Sequence, residues 1–386
     1  MTTLPSEQSA TAIATLTAAF ESTFTTPGLL RDRDVPAVVL SWPSVPIEII
    51  RAAGLRPVIA RGSVAPTPAA DAHLEPDIFP SRLRSVVEAA LTGRLSRAVR
   101  IVIPRTSDPD YKCFLYLREF VRLGIASALA PILLFDLLQS HGPDVGGYNA
   151  GRITDLLDEL TSVTGRRATL DDVRDEIERT NADRAAARRL LALRRGAPRI
   201  KGAEVFPLLG AFWHMAPEDY SVFAGKAADE IERRPPLTGP RVVLMGAPVD
   251  GTALHDAIES RGAIVVAEVS PWGTGVAGND VCGDDPIAAL AEKYSTDVIS
   301  SRTPAGLLQD SIARVVDEVD AVVVSLPPDD AVFGWDYPAL RSLLEMKRIP
   351  HVCLRGDPHR PMSPEDAAQL DKLTQAAFAR SEVRVG

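Results

Sequence analysis

The chain predicts two α/β domains with parallel sheets, joined by a helical stretch and preceded by an N-terminal helix. Three observations carry this. Short apolar runs alternate with helix-period segments at both ends of the chain, the pattern of right-handed βαβ units. Between them, residues 150–200 place their apolar side chains at helical spacing only. And 386 residues are too many for one ordinary core. The expected divisions are 1–149 for the N-terminal helix and first α/β domain, 150–236 for a helical linker region, and 237–386 for the second α/β domain.

Composition narrows the class. Hydrophobic content of 46% and charged content of 24% suit a globular protein. A net charge of −9 and a pI near 5.3 argue against a nucleic-acid backbone as partner. The opening MTTLPSEQSA lacks the basic and apolar regions of a signal peptide. No window reaches the roughly 18–20 apolar residues of a membrane span. A cytoplasmic location with no membrane partner is expected.

Thr11–Phe20 has a helical pattern stopped at Pro27-Gly28. Val35–Leu40 reads as a strand, followed by the turn Ser41–Pro46. Ile47–Ala53 is a helix opened after Pro46 and closed by Gly54. Pro57–Ala60 is the next strand, and Pro80–Thr92 an amphipathic helix. The stretch Ile101–Tyr116, IVIPRTSDPDYKCFLY, then joins a buried strand (Val99–Ile103) to a turn and a helix (Tyr111–Leu123). In an open parallel sheet such a turn faces the ligand crevice, which puts Ser107 at the site. Pro131–Phe135 is a strand, and residues 140–149 are turn-rich.

The runs Ile153–Val163 and Leu170–Leu193 form a helical pair. Arg184, Arg188, Arg189, Arg194 and Arg195 read as a solvated helix face, in preference to an anion patch. Helices over Glu204–Met215 and Asp219–Arg234 end at Pro235-Pro236. The second α/β unit follows: strand Arg241–Met245, helix Thr252–Arg261, strand Ala263–Ala267, a short strand Asp297–Ser301 and helix Leu307–Glu318. It closes with strand Ala321–Leu326, helix Tyr337–Lys347, strand His351–Leu354 and helix Pro364–Ala379.

Most standard motifs are missing. No G-x-S-x-G or P-loop occurs, and no histidine has zinc-ligand spacing. Gly273–Gly278 has dinucleotide-loop spacing but follows Pro271-Trp272, which favours a lid or loop. His214 reads as a satisfied packing residue. Cys113, Cys282 and Cys353 form no C-x-x-C and suggest no disulfide framework. Cys282, on the Gly-rich loop, is the one free to approach a crevice as a nucleophile.

The segment IPRTSD (103–108) resembles I-P-R-T-C-D of the 2-hydroxyacyl-CoA dehydratases and benzoyl-CoA reductases. VPIEIIRAAGLRPV (45–58) resembles their V-P-E-E-I-I-x-A-A-G-x-x-P-V, with Ile47 replacing the first Glu. RVVLMGAPVDG (241–251) is similar to R-V-L-x-S-G-S-P-x-D, and Val332–Pro338 to [FY]-G-F-D-Y-P. LTSVTG (160–165) and the Arg-rich helix after it look like the family's connector and linker helix. The resemblance runs from about residue 35 to 355.

It implies two flavodoxin-like domains facing a central crevice, an acyl-CoA substrate, and a heterodimer with a related, cluster-bearing subunit. It also implies three cysteine ligands for an iron–sulfur cluster, at positions that read here Trp42, Ser107 and Asp330. Clusters are held by thiolates, with histidine as the known replacement. The expectation is therefore no cofactor and no metal in this chain, with a [4Fe–4S] cluster in the partner. By the same resemblance the crevice holds Ser41, Trp42, Arg105, Ser107, Asp108, Ser270, Asp330 and Trp335. Trp42 would fill the volume of the missing cluster. Arg105 would hold a carboxylate or phosphate, or lock Asp108 or the domain interface. The catalytic residues stay unassigned, with Ser107, Asp330 and Cys282 as candidates.

The sequence is compatible with three functions. One is a cluster-less subunit of a lyase (dehydratase) or acyl-CoA reductase complex, not redox-active alone. Another is a self-standing non-redox enzyme or small-molecule binder, as a homodimer. The third is a structural or assembly protein.

Overall fold

Runs such as AVVL (37–40), VVLM (242–245), IVVA (264–267) and AVVV (321–324) are continuously apolar because helices cover both faces of their sheets. The computed structural model describes residues 11–25, 35–75, 78–140, 142–298, 300, 302, 313, 315–328, 330 and 332–385. Among them are the strands β1 (Ala37–Leu40), β2 (Arg56–Ile59), β3 (Ala98–Pro104), β4 (Ile132–Phe135), β5 (Arg241–Gly246), β6 (Ile264–Val269), β7 (Ala321–Ser325) and β8 (His351–Leu354). They form two all-parallel four-stranded sheets, in the orders β2-β1-β3-β4 and β6-β5-β7-β8. In each, the chain steps outward, then returns across the first strand. The reversals, between β1 and β3 and between β5 and β7, leave crevices beyond the carboxyl ends of those strands. This is the expected pair of flavodoxin-like domains.

The helices of the described residues are α1 (Ala12–Thr25), α2 (Ile47–Ala52), α3 (Pro68–Asp71), α4 (Ser81–Leu91), α5 (Asp108–Arg122), α6 (Val145–Thr164) and α7 (Leu170–Ala192). Then come α8 (Gly202–Gly210), α9 (Pro217–Glu232), α10 (Ala253–Glu259), α11 (Thr274–Ala277), α12 (Pro286–Thr296), α13 (Tyr337–Met346) and α14 (Pro364–Val385). No helix of the described residues is long and apolar enough to cross a membrane.

One face of the first sheet packs on α4 and α5 through Leu83, Val87, Cys113 and Leu117. Its other face opens into the largest core, where Leu40, Ile49, Leu157, Leu190, Phe206, Trp272 and Leu290 meet. The second sheet buries one face under α13 (Leu340, Leu344) and the other under α10 and α14 (Leu254, Leu370, Ala377). The segment carrying Trp272 and α12 leaves its own sheet to pack on α6 and α7. The helical linker is thus the common core of the molecule.

Several expectations need correction. Arg184 and Arg194 are buried, not solvated. Arg184 pairs with the fully buried Glu48 of α2, which also accepts from Tyr294 Oη of α12 at 2.9 Å. Burial of Arg194 pushes its guanidinium below its usual range. His214 packs beside Phe20, and both its ring nitrogens are buried without a hydrogen-bond partner. Asp297 and Val298 form a bend rather than a strand, with 299 and 301 outside the described residues. Most of the expected helix over 307–318 also lies outside them; Val316–Glu318 forms one 3-10 turn. The Pro27-Gly28 stop lies outside them too. Within the Gly-rich loop, Thr274–Ala277 makes a one-turn helix.

Candidate functional site

The two topological reversals face each other. Trp42 follows β1, Thr106–Asp110 follow β3, Ala247 and Pro248 follow β5, and Pro327, Asp330, Val332 and Phe333 follow β7. With Pro80–Arg82 at the start of α4, Asp357–His359 after β8, and Arg302, they line a cavity of about 400 Å³. That is within the usual range for a small-molecule site, and it lies where two doubly wound sheets would put one.

The β3 side is a closed polar network. Ser107 caps α5, accepting from Asp110 N at 3.2 Å and donating to Asp110 Oδ2 at 2.7 Å. Thr106 Oγ1 donates to the same oxygen at 2.5 Å. The buried Asp110 also takes Arg82 Nη2 at 2.8 Å, while Arg82 Nη1 reaches the Ser41 carbonyl at 2.9 Å. The Arg82 guanidinium lies 4.3 Å over the Trp42 ring. Across the cavity, Asp330 accepts from Phe333 N at 3.1 Å and Gly334 N at 2.7 Å, fixing the turn that carries Trp335.

A second network straps the two sheets together. Asp250 Oδ2 accepts from Gly62 N at 2.7 Å, and Asp250 Oδ1 from Trp272 Nε1 at 2.7 Å. His359 stands between Asp250, 3.6 Å from its Nε2, and Asp357, 3.3 Å from its Nδ1. Ser81 Oγ, from the first domain, donates to Asp357. Burial alone would lower the His359 imidazolium, but Asp250 and Asp357 outweigh it and raise it to about 9. Burial likewise opposes ionisation of Asp357, yet His359 and Ser81 bring it down to about 2. Asp250 is held below the usual carboxylate range by His359, Arg82 and the Gly62 amide, against the effect of burial.

Of the eight crevice residues expected, Trp42, Ser107, Asp108 and Asp330 line this cavity. Ser41 is buried behind it and offers its carbonyl to Arg82. Arg105 is not among the lining residues; it stacks on Tyr111 and pairs at 3.3 Å not with Asp108 but with Asp136, which also pairs with Arg302 at 3.3 Å. Ser270 is buried away from the cavity and donates to Glu268 at 2.6 Å. Trp335 is 84% exposed and outside the lining. Cys282 is exposed on a loop whose neighbour Val281 is pinned to Asn181 of α7, not on the cavity. Cys113 is on the buried face of α5, where desolvation, with help from Asp110, pushes its thiol up to about 12. Cys353 lies within β8.

Sequence reasoning missed Arg82, Asp110, Asp357 and His359. Asp110 had a signal: Ser107-x-x-Asp110 is the spacing of a helix-capping pair. Arg82 lies far in the chain from Asp357 and His359, and none of the three belongs to a motif.

The three positions at which the resemblance places cysteine ligands share this one cavity. Their donors do not suit a cluster. Trp42 offers an indole, the Ser107 hydroxyl is committed to Asp110, and both Asp330 oxygens are committed to backbone amides. No cysteine lines the cavity, and among the described residues no three His, Cys, Asp or Glu side chains converge as metal ligands.

A family model described as 2-hydroxyglutaryl-CoA dehydratase, D-component, matches residues 44–375. Comparison with curated proteins gives no match.

Proposed function

Since the chain belongs to the 2-hydroxyglutaryl-CoA dehydratase D-component family, we propose that it is a cluster-less subunit of a 2-hydroxyacyl-CoA dehydratase-like or benzoyl-CoA reductase-like complex. A related partner carries the [4Fe–4S] cluster and acts on the acyl-CoA. This chain completes the assembly and shapes the wall of the acyl site. One observation supports the reading. The three expected ligand positions, Trp42, Ser107 and Asp330, still meet in one cavity, but with donors that cannot replace thiolates. The fold and the crevice are kept while the cluster chemistry is not.

In this role the chain's residues position and enclose. The Arg82–Asp110 pair holds the two turns after β1 and β3 in register, and Trp42 and Phe333 supply apolar walls. Anaerobic affinity purification from the native host, followed by mass spectrometry and iron analysis, tests the proposal. A stoichiometric, iron-bearing chain of the same family that keeps the cluster cysteines is the expected result. An iron-free homo-oligomer would overturn it and favour a self-standing binder using the same cavity.

A further inference from the structure

We infer that the interdomain cavity takes an apolar ligand whose head is uncharged or amine-bearing, and rejects one bearing a carboxylate. The inference rests on the reading of this cavity as the ligand site, and names the class of acyl group it would accept.

The walls are largely apolar and stiff: Trp42, Pro80, Pro109, Pro248, Val332 and Phe333. Proline rings and aromatic faces accept a flat or branched hydrocarbon body without reorganising. The charges decide the head group. Three cations line the cavity, and each is already engaged. Arg82 serves Asp110 and the Ser41 carbonyl. Arg302 reaches Asp136 at 3.3 Å and the Leu137 carbonyl at 3.4 Å. His359 stands between Asp250 and Asp357.

Four carboxylates line the same space: Asp108, Asp110, Asp330 and Asp357. Asp110 and Asp357 are matched by the cations just named. Asp108 and Asp330 are not: among the described residues neither has an ion-pair partner. Backbone amides orient Asp330 without cancelling its charge. An incoming carboxylate would therefore meet two uncompensated negative charges and, among the described residues, no free cation. The family description names a glutaryl group, which carries a second carboxylate. This cavity is built for an acyl group without one.

Calorimetric titration of the full chain with phenylethylamine, phenylacetamide and phenylacetate tests this, because the three share a skeleton and differ in head charge. The amine and the amide should bind, and phenylacetate should bind at least about tenfold more weakly, the order expected for one like-charge contact near a protein surface. Asp108→Asn together with Asp330→Asn should abolish the difference. The asparagine at 330 keeps an acceptor for the turn, and a thermal melt of the variant checks its fold. Phenylacetate binding as tightly as the amine, no binding by any of the three, or discrimination that survives the double substitution would each overturn the inference. None of these results bears on which chain co-purifies, so a failure here is separable from a failure of the subunit reading.

Discussion

At the scale of single residues, Ser107 holds Asp110, and Asp110 holds Arg82. Arg82→Ala leaves a carboxylate that is 1% exposed with hydroxyl donors but no countercharge, and removes the cation from Trp42. A loss of about 2–3 kcal/mol is expected in urea unfolding. His359 gives a pH signature. Its imidazolium is held at about 9 in the fold, above the ordinary value of 6.5, so the folded state binds the proton more tightly. Its stabilisation is full below about pH 6.5 and is lost as pH rises through about 9. Unfolding free energy should fall by about 2–3 kcal/mol across that window, and His359→Gln should flatten the profile. Asp357 acts oppositely: its contribution is present above about pH 3.8 and disappears as pH falls through about 2. Ser107 and Asp330 could be placed at the crevice from local pattern and resemblance. Arg82 and His359 could not, because their roles depend on partners brought together only by the tertiary fold.

At the scale of elements, α7 is the least apolar of the central helices and depends on its ends. Thr169 and Asp172 form a reciprocal capping box, with Thr169 Oγ1 accepting from Asp172 N at 3.1 Å and Asp172 Oδ2 from Thr169 N at 2.7 Å. Thr169→Ala should cost about 1 kcal/mol in chemical denaturation. Gly246 closes β5 with φ +109, and a Cβ there would run into the Ser325 carbonyl of β7. Gly246→Ala should destabilise by about 2 kcal/mol or more, seen as a lowered Tm, and should disturb the turn that lines the cavity. The strands were legible because parallel strands covered on both faces carry continuous apolar runs, as in AVVV (321–324). Thr252–Arg261 and Glu204–Met215 were legible as helices, with ends displaced by a residue or more. The solvated reading of the Arg cluster failed at Arg184 because its countercharge, Glu48, is on α2, far away in sequence.

At the scale of the whole molecule, sequence periodicity indicates two sheets but not how they are joined. Trp272 and α12 follow β6 in the chain, yet they pack with α6 and α7, because the apolar faces of the linker helices need covering. The three cysteines sit in three unrelated settings, and this is measurable. Cys282 should react rapidly with a thiol reagent, while Cys113 should react only as the protein unfolds. No rearrangement of side chains alone would gather them at the cavity. The subunit reading proposes that this chain has the crevice of its family without its cluster. Anaerobic reconstitution of the isolated chain with ferrous iron and sulfide, followed by desalting, iron determination and a visible spectrum, tests it most directly. Only trace iron and no thiolate-to-iron absorption are expected. Iron at cluster stoichiometry with that absorption would contradict it.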